Sequence, residues 1–97
     1  MKVVVLKSAA KDLEAIHWYL VIYGNNPPAK FRQSFDKFCV QIVNTPYIWP
    51  IYTHAPDYRM AVLEYGYLLF YKINENAGLI KIYRVLHGKR NIESIVN

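Results

Sequence analysis

Ninety-seven residues, 54% hydrophobic and 20% charged, are enough for one small core with little margin, so a single domain over residues 1–97 is expected and a disordered chain is excluded. No apolar run reaches the length of a membrane span, and the stretch Val3–Leu6 is closed by Lys7 before a signal-peptide core can form, so a cytoplasmic protein with no membrane partner is expected. The net charge of +5 favours an acidic partner, nucleic acid or protein. The single cysteine, Cys39, excludes an internal disulfide and a Cys-based metal site.

Lys2–Lys7 reads as a first strand, apolar on both faces through Val3, Val4, Val5 and Leu6. Ser8 offers an N-cap for a helix over residues 9–23. Leu13, Ile16, Leu20 and Tyr23 draw its apolar stripe, widened by Trp18, Tyr19 and Ile22. Gly24-Asn25-Asn26-Pro27-Pro28 ends it, with Gly24 or Asn25 expected in a left-handed cap. Pro28 suits the first turn of a second helix to about Asn44. Its stripe is Phe31, Phe35, Phe38 and Ile42, with Cys39 alongside as a packed, inert thiol. A short break between two helices makes an αα-hairpin.

The segment 45–56 carries three prolines with Tyr47, Trp49 and Tyr52. It reads as an ordered loop whose Trp49 and Tyr52 plug an edge of the core; the alternative is a stacking platform for bases. Strands follow over 57–64, 67–73 and 79–86. They are joined by Glu64-Tyr65-Gly66 and by a loop in which Gly78 is expected to take positive φ. One or two helical turns are expected over 91–96. Helices followed by strands imply an α+β fold: a mostly antiparallel sheet with the helical hairpin on one face.

The last strand ends in His87-Gly88-Lys89-Arg90. No acidic residue lies between Glu75 and Glu93, so Lys81, Arg84, Lys89 and Arg90 form a field of one sign. His87 is the best imidazole candidate for a general base, and otherwise a capping histidine. Arg84 either crosses to a carboxylate such as Glu64 or faces a partner. Asp12 and Glu14 suit the start of the first helix. No phosphate loop, metal cluster or Ser/His/Asp set appears, so neither cofactor nor metal is expected.

The chain resembles the RelE/ParE superfamily of toxins from bacterial toxin–antitoxin modules, and most closely its ParE or plasmid-stabilisation branch. The likeness rests on Ser8–Ile16, Pro46–Pro50, Arg59 with Tyr67–Lys72, and above all Ile82–Asn91. The resemblance implies a fold with an N-terminal strand, an αα-hairpin and a three-stranded antiparallel meander. It implies a toxin held silent by a cognate antitoxin, whose amphipathic C-terminal segment packs along the helices and sheet.

Two targets follow from the resemblance. ParE-like members inhibit DNA gyrase; RelE-like members cleave mRNA on the ribosome. A non-toxic relative that only binds its antitoxin is the third reading. Nuclease members use basic residues on the middle strands and a C-terminal proton-transfer group. Carried over, those positions fall on Arg59, near Ala61, on Leu68, on Arg90 and near Val96, so a cation and the terminal group are missing. Such losses remove transition-state stabilisation. That favours the gyrase inhibitor, with Arg59, Arg84, His87, Lys89 and Arg90 as the target- or antitoxin-binding residues. If the chain were a nuclease, Arg59, Arg84, His87 and Arg90 would carry it; direct nucleic-acid binding stays open.

Overall fold

The computed structural model describes residues 1–90 and Ile92. The expected helix over 91–96 and the position of Val96 lie outside the described residues, apart from Ile92. The elements are β1 (Lys2–Val5), α1 (Lys7–Tyr23), α2 (Pro28–Asn44), β2 (Arg59–Val62), a 3₁₀ turn (Glu64–Gly66), β3 (Tyr67–Asn74) and β4 (Leu79–His87). The sheet order is β1-β4-β3-β2. β1 runs parallel to β4, and the β2-β3-β4 meander is antiparallel. This is the expected α+β arrangement.

The helices cover one face. Ile16 and Leu20 of α1 and Phe31, Phe35, Phe38 and Ile42 of α2 are buried with Leu69, Tyr71, Ile80, Ile82 and Val85 of the sheet. The four- and three-residue spacing in α2 puts its apolar side chains on one stripe, and burial of each large side chain contributes roughly 1.5–3 kcal/mol. On the other face Phe70, Leu86 and Ile92 form a second cluster, joined by Tyr52, Tyr58, Met60 and Leu68. Trp49 packs on the main core and Tyr52 meets the Phe70 ring edge-on at 5.1 Å. Both rings pack as the expected plugs, while Tyr47 in the same loop stays half exposed.

Several local expectations are corrected. α1 begins at Lys7, one residue before Ser8, so Ser8 is helical and its hydroxyl bonds elsewhere. Gly24 is extended (φ −79, ψ 139), so the left-handed cap expected there does not form. Glycine is needed there for closeness: a Cβ would lie 2.6 Å from the Leu20 carbonyl oxygen. β2 is shorter than expected, because the chain turns at once. Tyr65 (φ 62) and Gly66 (φ 79) both take the left-handed conformation used by tight hairpin turns. Gly78 takes positive φ (66) as expected.

The largest departure is in β4. Phe70 pairs with Arg84 but Tyr71 pairs with Ile82, so Tyr83 is an extra residue in a β-bulge. Strict alternation would put Ile82, Arg84 and Leu86 on one face. With the bulge, Ile82 and Val85 enter the helix-side core and Leu86 the opposite cluster.

Candidate functional site

β4 continues beyond the end of β1, and an unpaired strand edge needs hydrogen-bond partners. α1 supplies them. The Leu6 N–H donates to Ile82 O (3.0 Å), the Ser8 hydroxyl to Tyr83 O (2.7 Å), and Val85 N–H to Asp12 Oδ2 (3.0 Å). Arg84 also donates to Asp12, from Nε at 2.7 Å and Nη2 at 3.0 Å. The guanidinium is held protonated above its ordinary range, chiefly by that hydrogen bond. This seam fixes α1 beside the end of β4 and leaves a cleft between the second half of the helix and the strand's exit.

The exit is built from two turns locked together. Gly88 N–H donates to Gly66 O at 3.0 Å, and Arg90 N–H to His87 O at 3.0 Å. A Cβ on Gly88 would stand 3.2 Å from Gly66 O, so the two backbones meet where a side chain would crowd. His87 stacks edge-on against Tyr67 at 5.1 Å. Its Nδ1 accepts the Lys89 N–H at 3.2 Å. Lys89 and Arg90 are exposed.

The cleft has a volume of about 640 Å³ and is lined by Ile16, Leu20, Tyr19, Tyr23, Tyr65, Tyr67, His87, Lys89 and Arg90, among others. Tyr19 is 56% and Tyr23 72% exposed. Burial, and then the neighbouring Tyr19, push the Tyr67 hydroxyl above its ordinary range. The cleft thus combines an apolar floor, phenol hydroxyls and two rim cations.

The residues expected from sequence divide into two groups. His87, Lys89 and Arg90 come together at the cleft. Arg59 does not join them: it lies on β2 with β3 between, and donates from Nη1 to Trp49 O (2.7 Å) and Tyr47 O (3.4 Å). Its guanidinium also sits 4.9 Å from the Tyr47 ring centre. Arg84 pairs with Asp12, not with Glu64, which lies 3.9 Å from Lys30. Leu68 packs on the second cluster and Ala61 is fully buried.

Sequence reasoning missed the cleft tyrosines and the role of Asp12. Tyr19 and Tyr23 stand four apart and read as extensions of a core stripe; Asp12 read as an ordinary early helix acid. Cys39 is half-buried, and burial, then Asp36, raise its thiol above the ordinary range, against reactivity. Among the described residues no group of three or more His, Cys, Asp or Glu could hold a metal ion. Among them, no helix is long and apolar enough to cross a membrane.

Residues 3–92 match the family model described as the ParE toxin of type II toxin–antitoxin systems. No curated protein matches the sequence. Three solved structures share the fold at low identity. A chain of the intact E. coli RelBE toxin–antitoxin complex superposes with a TM-score of 0.68 at 17% identity, covering 92% of this chain and 98% of that one. A chain of the RelBE2 complex from Mycobacterium tuberculosis gives 0.64 at 20% identity, covering 89% and 95%. A chain of the chromosomal ParDE system from P. aeruginosa gives 0.61 at 22% identity, covering 90% and 95%.

Proposed function

The chain is a type II toxin–antitoxin toxin of the RelE/ParE superfamily, belonging to the family that the ParE toxin model describes, and from that premise we propose that it acts by binding DNA gyrase rather than by cutting RNA. The observation that carries this reading is the fate of the nuclease positions. Leu68 and Ala61 are packed apolar residues, and Arg59 stands apart from the cleft, with Nη1 donating to the Trp49 and Tyr47 carbonyls. What the cleft itself presents is a pair of exposed cations, Lys89 and Arg90, beside a tyrosine-rich lining. That composition supports a protein ligand.

The same surface supports an antitoxin as the silencing partner. Trp18, Tyr19, Val21, Ile22 and Tyr23 are all at least half exposed on α1, beside the cleft. An amphipathic antitoxin segment would cover these apolar side chains and bring acidic residues to Lys89 and Arg90.

The test is to induce the chain alone and follow gyrase-dependent DNA breaks and mapped mRNA cleavage in the same cells. DNA breaks that disappear in the Lys89→Ala/Arg90→Ala variant, with its thermal stability unchanged, are expected. Mapped mRNA cuts without DNA damage overturn the gyrase reading in favour of a nuclease. Growth without any defect points instead to a relative that only binds its antitoxin.

A further inference from the structure

On the sheet face away from the helices, β3 and β4 set two lysines opposite each other: Lys72 pairs in register with Lys81. Their neighbours Tyr71, Ile80 and Ile82 are fully buried on the helix side, so the two lysines point the other way. Side chains opposed in this way have Cβ atoms roughly 5 Å apart, and like charges there repel. Among the described residues no carboxylate pairs with either ammonium; the ion pairs are Lys30–Glu64, Arg32–Asp36 and Arg84–Asp12. Glu75, which lines the same recess of about 550 Å³, is bonded by the Tyr47 hydroxyl.

The repulsion is held in place. Lys72 Nζ lies 4.5 Å from the centre of the Tyr58 ring and 4.9 Å from that of Tyr83. Those rings meet edge-to-face at 5.3 Å, forming a corner around the ammonium. Ring faces that carry a cation are not available to stack bases, so the site offers charge and hydrogen-bond donors. Asn74 adds one: its Oδ1 accepts the Ala77 N–H at 3.1 Å, which leaves its amide N–H₂ to donate.

We propose that Lys72 and Lys81, framed by Tyr58 and Tyr83, form a binding site for a phosphoryl group, carried by a free nucleotide or by a nucleic-acid backbone. Two compact ammoniums with rotatable donors suit the several oxygens of a tetrahedral anion. A planar carboxylate is matched better by the fork of an arginine, and no arginine lines this recess. Bound phosphate would relieve the repulsion between the lysines, a gain that no carboxylate among the described residues provides. The site is separate from Lys89 and Arg90, so it stands whether or not the cleft receives gyrase.

The experiment is a chemical-shift titration of the purified full chain with ATP, with a ten-nucleotide single strand, and with a poly-glutamate peptide of matched charge. Saturable shifts at Tyr58, Lys72, Lys81 and Tyr83 are expected. They should weaken at least tenfold in the Lys72→Gln/Lys81→Gln variant and persist in Lys89→Ala/Arg90→Ala. ATP binding as tight as the oligonucleotide marks a free phosphoryl ligand. Tighter oligonucleotide binding, with a salt slope that falls by about 1.4 in the lysine variant, marks a backbone. Linear, unsaturated shifts, unchanged binding by the lysine variant, or equal affinity for poly-glutamate overturn the proposal.

Discussion

Asp12 and Arg84, on α1 and β4, form a two-point ion pair at 2.7 and 3.0 Å, and the same Asp12 carboxylate takes the Val85 N–H at 3.0 Å. The helix thereby replaces the missing strand beside β4. The carboxylate side chain is only 13% exposed and the guanidinium 28%, so loss of one partner strands a largely desolvated charge. Asp12→Ala is expected to cost about 2–4 kcal/mol, less than a fully buried pair because Arg84 retains some water. Arg84→Met should cost less, since Asp12 keeps the Val85 N–H. Urea denaturation of both singles and the double variant measures the coupling; under about 0.5 kcal/mol it would be an ordinary surface pair.

Arg59 distinguishes a structural cation from a catalytic one. Its bonds to the Trp49 and Tyr47 carbonyls tie the proline-rich loop to β2. Arg59→Met should destabilise the chain by about 1.5–3 kcal/mol, the usual worth of a charged hydrogen bond. Faster amide exchange over residues 47–58 should accompany it, and toxicity should fall only as far as folded protein falls. Full stability with abolished toxicity would return Arg59 to the functional site.

Tyr71 should set an alkaline limit on stability. Its hydroxyl donates to Pro46 O at 2.8 Å, and burial pushes its pKa up to about 12 from an ordinary 10.0, against the lowering effect of Arg59. A raised pKa means that the folded state favours the neutral phenol. The associated stability is complete below pH 10 and is lost as the pH rises toward 12. Tyr71→Phe should cost about 1 kcal/mol at neutral pH for the lost hydrogen bond. It should also flatten the fall between pH 10 and 12, read from urea midpoints across that range.

The legible parts of the chain were those set by local rules. The stripe Phe31, Phe35, Phe38, Ile42 specified α2 because neighbours three and four apart share a helix face. Alternation specified β3, prolines 27 and 28 specified the break, and Gly78 marked a turn that needs positive φ. The basic exit was visible as an unbroken run without acids, and His87, Lys89 and Arg90 do gather at one cleft. The resemblance carried by Ile82–Asn91 agrees with the family that residues 3–92 match.

What the sequence by itself determined, then, was the order of elements, their buried faces and the kind of charge at the end of β4. Tertiary structure alone decided which groups meet. The bulge at Tyr83 reverses the face of Leu86 relative to Ile82 without any change in composition, because one extra residue shifts a two-residue period. Arg84 chose Asp12, 72 residues away, over Glu64, because α1 closes the edge that β1 leaves open. Lys72 and Lys81 are nine positions apart in the chain, and only strand register sets them face to face. Periodicity is a local property that a sequence displays; partner choice across a sheet depends on register and helix placement, which distant contacts fix together.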